Sequence, residues 1–411
     1  MTALTYIPGD PALKVAPWPF YQRLRDEAPV LTGTGVGEGA ETFYVVSRFD
    51  DAAMLLRDRN RSSSHLVNRP LLGHYLDLPA LINRDAPDHT RLRRITNKAF
   101  SPRALTPLPE RIQQLTSELV GEMLSKPEVE WVEEFSAELP LRVVGGMIGI
   151  PLDRKTEIRH WSAAFLEMGN IIGGGDPDLV PGCVEDFLAL VNYMDEEFTG
   201  RVGCPHRGDI ISDLVDREAA GELSHDEAVS LGWSYLSAGK ETTQYLLGGG
   251  LHMLLTDPLL AERLTAEPER TEDFIEEHLR LYSPTQFVLR RVKEDVELHG
   301  VVMPAGSIVH ILVGSANRDP LKFSDPDVFD LDRPNAAEHL AFGGGSHYCP
   351  GASLARMVVG LAFRALYPHL NRLSLDPERP PQMRLKPGAF GIEQMNILVS
   401  QGAPALAKLR R

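Results

Sequence analysis

From Ser224 to about Thr256 the apolar residues keep a helical spacing, the longest such pattern in the chain. Ser224 suits an N-cap, and Glu227 three residues later completes a capping box. Asp257–Pro258 stops the pattern, because a proline drives the residue before it out of helical geometry. Some 32 residues at 1.5 Å each give a rod of roughly 48 Å, long enough to cross a large domain. Glycines sit badly in it: Ala238–Gly239 stands in the middle and Gly248–Gly250 follows. Each glycine costs about 1 kcal/mol against alanine in a helix. Close packing against a neighbouring helix accounts for such glycines. At Gly239 a second reading is open, a place where backbone meets a ligand or the helix opens locally.

Around this rod the pattern is mostly helical with a small sheet component. Helices are expected over residues 49–57, 87–99, 104–126, 152–169, 183–199, 271–282 and 351–367, and a loop over 173–182. Strands are expected over 42–48, 286–292, 296–298, 301–303 and 307–313, and near 382–386 and 396–400. Residues 314–348 have little periodicity and much Asp, Pro, Asn and Gly, and segments of that length are usually functional. A chain of 411 residues can bury a large core. Its net charge of −15 argues against nucleic acid as a general partner. No apolar run approaches the roughly 18–20 residues of a membrane span, and the amino terminus lacks a secretory pattern. No membrane partner and a cytoplasmic location are therefore expected. The three cysteines, Cys183, Cys204 and Cys349, are too scattered for a disulfide framework. Cys204–Pro205–His206 has the spacing of no common zinc site.

Cys349 sits in AFGGGSHYCPGASLAR, residues 341–356. A thiol in an apolar core needs no such setting; a thiolate bound to a metal does. Glycines let backbone lie flat against a large planar group, and N–H groups of the turn can point at the sulfur. The helix that starts after Gly351 places its positive end nearby. From the residues alone, a glycine-rich turn with an incidental buried cysteine stays open. The pattern Phe342–Gly343–x–Gly345–x–x–x–Cys349–x–Gly351 resembles the haem-binding signature of the cytochrome P450 family. Pro350 stands where bacterial relatives more often carry an aliphatic residue. The resemblance implies that Cys349 is the axial thiolate ligand of the iron of haem b, iron protoporphyrin IX. It also implies the family's fold, a single large domain over residues 1–411, mainly α with a minor β region.

Three further motifs agree, in the family's order. Glu277–His278–Leu279–Arg280 resembles the ExxR element, whose ends share one helix face. With Arg333, which resembles the third member, it is expected to form a buried structural ion-pair network. Ala238–Gly239–Lys240–Glu241–Thr242–Thr243 resembles the oxygen-binding groove. There Thr242 is implied as the alcohol that serves dioxygen or its water, and Glu241 as the acid that brings protons. Lys240 replaces the residue many relatives carry, and can pair with Glu241 or with a neighbouring helix. Residues 85–94 resemble the helix that contacts the haem propionates. His89 and Arg93 are four apart and share a side, and Arg290 and His347 match further propionate positions. Arg291 beside Arg290 leaves a one-residue ambiguity, and His339 reads as a surface histidine.

The resemblance implies a monooxygenase. One atom of O2 enters a C–H bond of a lipophilic small molecule and the other leaves as water. Nearly all residues belong to the haem domain, so electrons are expected from a separate ferredoxin or flavodoxin, delivered to a monomer. A peroxide-driven enzyme and a non-catalytic haem sensor or carrier are the alternatives, and the Glu241–Thr242 pair speaks against both. Expected substrate walls are residues 62–83, the stretches Leu236 to Thr242 and Thr285 to Val288, and the turn Ala389 to Ile392. At 100° per residue, Arg91, Arg94 and Lys98 fall opposite His89 and Arg93. This basic stripe is expected to dock the electron donor.

Overall fold

The first elements are helix α1 (Trp18–Glu27), the antiparallel strands β1 (Val30–Thr34) and β2 (Thr42–Val46), helix α2 (Phe49–Arg57) and strand β3 (Ser62–Ser63). Helices α3 (Asp88–Ala99) and α4 (Leu108–Leu124), strand β4 (Glu128–Glu130) and helices α5 (Glu138–Ile148), α6 (Lys155–Ile172), α7 (Val180–Thr199) and α8 (Ile210–Ala219) follow. The long helix α9 (His225–Thr256) leads to α10 (Pro258–Ala266) and α11 (Thr271–Leu281). Strands β5 (Val288–Val292), β6 (Val296–Leu298), β7 (Val301–Met303) and β8 (Ile308–Ile311) come next. Helix α12 (Ala352–Leu366) precedes strands β9 (Leu373–Leu375), β10 (Gln382–Met383), β11 (Ile392–Gln394) and β12 (Asn396–Val399). This computed structural model describes residues 4–7, 10, 13, 16–34, 42–65, 80–172, 180–384 and 388–400. The architecture is mainly α with small sheets, as expected. The largest sheet runs β1-β2-β8-β5-β3, with only the β2–β8 pair parallel, and a second runs β4-β12-β9.

Helix α9 is 32 residues long and unbroken. The capping box is formed: the Ser224 hydroxyl accepts from the Glu227 N–H, and the Glu227 carboxylate accepts from the Ser224 N–H. The helix packs on α5, α6, α7 and α12, and buries Trp233, Leu236, Leu247 and Leu251. Full burial of such side chains is worth about 1.5–3 kcal/mol each. The glycines mark close approaches. A Cβ at Gly249 would stand 2.9 Å from His278 Nε2 of α11, and one at Gly250 would overlap the ring of Phe363 of α12. At Gly239 it would stand 3.1 Å from Val144 of α5. The helix runs on without a bulge there, so Gly239 allows close packing and does not open the helix locally.

Two other expectations change. Of the loop expected over 173–182, residues 173–179 lie outside the described residues. Residues 180–182 already belong to α7, because Pro181 is tolerated in a first turn where its missing N–H costs nothing. Helices α1, α5, α8 and α10 and strands β1, β3, β4, β9 and β11 lie where no element was expected.

The irregular segment between β8 and α12 is organised by buried side chains instead of by a backbone ladder. Arg280 donates to both oxygens of Glu277 (2.7 and 2.8 Å), and Arg333 Nε reaches the same carboxylate at 3.0 Å. The other guanidinium nitrogens donate to the carbonyls of Asn317, Ser324, Asp325, Pro326 and Val328. The Asp330 N–H completes the Glu277 site at 3.0 Å. The expected ion-pair network is present, with the Glu277 and Arg280 side chains 0% exposed.

Candidate functional site

The turn before α12 carries the cysteine. Gly343 and Gly345 have φ of 72° and 63°, left-handed values that favour glycine. A Cβ at Gly345 would also stand 2.8 Å from the Leu56 carbonyl at the end of α2. The Cys349 N–H donates to the Phe342 carbonyl at 2.9 Å, closing the loop, and α12 starts three residues later. Burial pushes the Cys349 thiol up, while the N–H groups of Gly351 and Ala352, aimed at the sulfur, and the guanidinium of Arg93 pull it down. Burial wins, so the thiol stays above its ordinary value, while the helix start and its N–H groups lean toward an anion on this sulfur. Arg356 fixes α12 from behind, donating to both oxygens of Glu276 (2.6 and 2.9 Å). Burial works against the Glu276 charge, but Arg356 and His339 hold its carboxyl down to about 2. His339 is therefore not the surface histidine expected; its side chain is 1% exposed and lies 3.3 Å from Glu276.

Four of the expected residues converge elsewhere on the same loop. The His89 ring of α3 and the His347 ring lie 4.0 Å apart between centroids, at the edge of a cavity of about 230 Å³. Arg290 of β5 lines the same cavity, with Asp85, Lys293 and Ser346. Arg291 donates to the Gly306 carbonyl and is not among the residues that line this cavity. Burial pushes the Arg290 guanidinium down to about 10 and the His347 imidazole down to about 3; burial, then Arg93, also lowers His89. Asp85 does not compensate these groups fully. It is held by the Ser63 hydroxyl (2.5 Å), the Ser64 N–H (3.0 Å) and Lys293 (3.3 Å). Arg93 donates to the Tyr348 carbonyl at 2.6 Å and to Asn97 at 2.8 Å, so it bridges α3 to the cysteine loop.

These features test whether haem suits the site. Its carboxylates need donors, and His89 Nε2 is buried without a hydrogen-bond partner beside the buried Arg290. Among the described residues no carboxylate lies within ion-pair distance of Arg290, whose Nη1 donates only to the adjacent Leu289 carbonyl. Its iron needs an anionic ligand, and Cys349 stands where backbone N–H groups favour one. Both ends of the group find fitting residues.

Comparison with known proteins agrees. A family model for cytochrome P450 matches residues 196–400. The putative cytochrome P450 YjiB of Bacillus subtilis is 32% identical over 382 residues, covering 88% of this chain and 90% of that protein. The chain belongs to the cytochrome P450 family. A 6-deoxyerythronolide B hydroxylase of Saccharopolyspora erythraea is 32% identical, covering 86% of this chain and 89% of the relative. The structure of CYP109E1 from Bacillus megaterium with testosterone matches at a TM-score of 0.84 and 29% identity, covering 95% of this chain and 99% of that one. This P450 is thus a monooxygenase of the oxidoreductase class, acting with O2 on a small molecule.

The central helix of this P450 places the acid and the alcohol differently from a solvated stretch. Lys240 and Glu241 are buried, at 5% and 2% exposure. Ala238 is exposed, and Gly239 and Thr242 are half-buried, on a helix otherwise buried along its centre. The Thr242 hydroxyl donates to the Ala238 carbonyl at 2.9 Å. Lys240 Nζ lies 3.9 Å from Glu241 and 3.4 Å from the Arg159 carbonyl of α6, so it meets both partners expected of it. Two of the expected substrate walls are neighbours. Thr285 pairs with Ala389, Gln286 N–H donates to the Gly388 carbonyl, and Phe390 N–H to the Pro284 carbonyl (both 2.9 Å). Within the wall expected over 62–83, residues 66–79 lie outside the described residues.

The basic stripe on α3 is reduced. Arg91 is bound to Glu227 of the capping box, with one bond at 3.1 Å, and to the Glu222 carbonyl. It ties α3 to the start of α9, which sequence spacing could not reveal. Arg94 and Lys98 remain exposed. Cys183 is buried with its thiol 3.2 Å from the Ala164 carbonyl, and Cys204 is exposed.

Proposed function

We propose that the chain is one haem-thiolate domain over residues 1–411, in which haem b is held by Cys349 and by His89, Arg93, Arg290 and His347. The observation that carries this reading is the turn, bent by the left-handed Gly343 and Gly345, that sets Cys349 just before α12 with its sulfur 3.9 Å from where a Cβ on Gly351 would stand. Bound there, haem supplies the activation of dioxygen that puts one oxygen atom into a C–H bond and releases the other as water. The side chains do the rest. His89 and His347 would donate N–H to the haem carboxylates, and Arg290 would balance their charge. The Thr242 hydroxyl donates its hydrogen bond to the Ala238 carbonyl, so its oxygen can accept from a water on the more exposed side of the helix. Glu241, next in line and buried, is the acid that holds a proton and passes it toward that water.

The substrate is a lipophilic small molecule. Support comes from the buried Phe287 and Ala389 on the two joined walls, and from the steroid in the structure of CYP109E1. Electrons come from a separate ferredoxin or flavodoxin that docks on the exposed cations Arg94 and Lys98 of an acidic, monomeric, cytoplasmic protein. Among the described residues no helix is long and apolar enough to cross a membrane. The test is a spectral binding screen of lipophilic compounds, followed by turnover of each hit with ferredoxin, reductase and reduced nicotinamide. Oxygenated product matched to reductant consumed supports the reading. Product formed only with added peroxide, or hits bound without any product, overturns it.

A further inference from the structure

The first half of α9 carries Ser230, Ser234 and Ser237. Ser230 is 1% exposed, Ser237 is 0% and Ser234 is half-buried, and the hydroxyl oxygen of each is buried without a hydrogen-bond partner in the protein. A hydroxyl inside a helix commonly turns back onto the carbonyl four residues before it. Thr242 and Thr243 of this helix do so, at 2.9 and 2.8 Å, and the three serines do not. A buried hydroxyl left unpaired costs stability, and water is what completes such groups inside proteins. With Ser230 at 0°, Ser234 falls at about 40°, Ser237 at about −20°, Glu241 at about 20° and Asp226 at about −40° round the helix. The row thus occupies one face of α9. Asp226, at its outer end, is exposed, and Glu241, at its inner end, is buried. Farther along the same face a Cβ at Gly248 would stand 3.6 Å from Ile392 of β11, so apolar packing closes the row beyond Glu241.

We propose that Ser230, Ser234 and Ser237 bind a file of water that carries protons along α9 from Asp226 at the surface to Glu241. The spacing suits such a file. The helical rise puts Ser234 about 6 Å beyond Ser230, Ser237 about 4.5 Å beyond Ser234 and Glu241 about 6 Å beyond Ser237. A water bonded at about 2.8 Å on either side spans up to about 5.6 Å, so a gap of this size takes about one or two waters. Each hydroxyl has one hydrogen to give and lone pairs to accept with. It takes a proton from the water on its outer side and releases its own to the water on its inner side. Its O–H bond is thereby replaced, one proton moves inward, and rotation of the hydroxyl resets it. The serines act through water and through Glu241, and so are positioning residues. The use of the delivered proton at Thr242 rests on the function proposed above; the water file does not.

The experiment has two readouts on the haem-loaded protein. The first is a crystal structure fine enough to show ordered water. Waters are expected within hydrogen-bond distance of all three serine hydroxyls, joined in a row toward Glu241. Hydroxyls turned back onto helix carbonyls, a dry row, or polar atoms of a bound substrate in place of the water overturn the proposal. The second readout is proton delivery with a substrate found by the spectral screen: product formed per reductant consumed, and the ratio of turnover in H2O to that in D2O. Ser230→Val and Ser237→Val are expected to lose coupling severalfold, to release hydrogen peroxide and to change the isotope ratio, which a merely structural role would leave unmoved. Ser237→Thr keeps a hydroxyl and is expected to behave like the wild type. Ser237→Ala takes the place of the valine variant should that protein not fold. Wild-type coupling and isotope ratio in the serine variants, with coupling lost in Glu241→Gln, overturn the file and leave Glu241 as proton donor. Loss in the serine variants with none in Glu241→Gln upholds the serines as the route and overturns the reading of Glu241 as proton donor.

Discussion

Replacing Glu277 with glutamine keeps the shape of the side chain and removes its charge. In the folded protein this leaves two guanidinium groups, Arg280 and Arg333, buried at 0% and 2% side-chain exposure without their shared counter-ion. The glutamine NH2 also faces donors where the carboxylate accepted. Breaking a buried pair from one side costs about 3–5 kcal/mol, because the partner's charge is stranded. Unfolding entropy of about 2.1 cal/mol/K per residue over 411 residues gives about 0.86 kcal/mol/K. The apparent midpoint of thermal unfolding should therefore fall by about 4–6 °C. The damage should be local as well. Arg280 and Arg333 pin the carbonyls of Asn317, Ser324, Asp325, Pro326 and Val328, so amide hydrogen exchange should accelerate first between Asn317 and Arg333. The control is Glu27→Gln, which breaks the exposed Arg23–Glu27 pair (2.8 Å) and should change neither observable. An unshifted midpoint in Glu277→Gln, or faster exchange spread evenly over the chain, would refute a network that anchors this segment.

Thr242→Ala should leave haem content unchanged while diverting electrons to hydrogen peroxide; unaltered product per reductant with a bound substrate would count against the role of its hydroxyl. The double variant Arg94→Glu/Lys98→Glu should slow first-electron transfer from a ferredoxin at low salt without altering substrate affinity, and the wild-type rate should fall as salt rises. Arg91 is left out of that variant, since it holds the start of α9 through Glu227. Protonated His225 donates to Asp195 (2.5 Å) and Glu218 (2.9 Å), and these carboxylates, Asp195 first, raise its affinity for a proton. The stability it gives is complete below the ordinary histidine value and lost as pH rises through the raised one. His225→Gln should thus lower stability at pH 6 by no more than about 1 kcal/mol, given its partial exposure, and match the wild type at pH 9. Equal losses at both pH values would contradict this.

Much of this was legible in the sequence because it is local. The capping box at Ser224 and Glu227, the stop at Asp257, and the i, i+3 pairing of Glu277 with Arg280 depend on neighbours along the chain. The glycines of α9 announced close approach, but which helix approached could not be read: Gly239 meets Val144 of α5, not an opening of its own helix. What was not legible is contact between distant elements. Arg91 looked free by helix angle, yet the crossing of α3 with the start of α9 gives it a carboxylate. His339 looked like surface, yet Glu276 and the α12 turn bury it. The exposure of Ala238 and the burial of Lys240, about 200° round the helix from it, are likewise set by packing around α9, which composition does not encode.

The thiolate assignment is tested most directly by the absorption of the reduced carbon monoxide complex in four proteins: the wild type, Cys349→Ala, Cys183→Ala and Cys204→Ala. Only a thiolate ligand gives the strongly red-shifted band. The expected result is that the wild type and the Cys183 and Cys204 variants show it and Cys349→Ala does not. A band that survives in Cys349→Ala, or that disappears with Cys183 or Cys204, would contradict the placement of the haem on this turn.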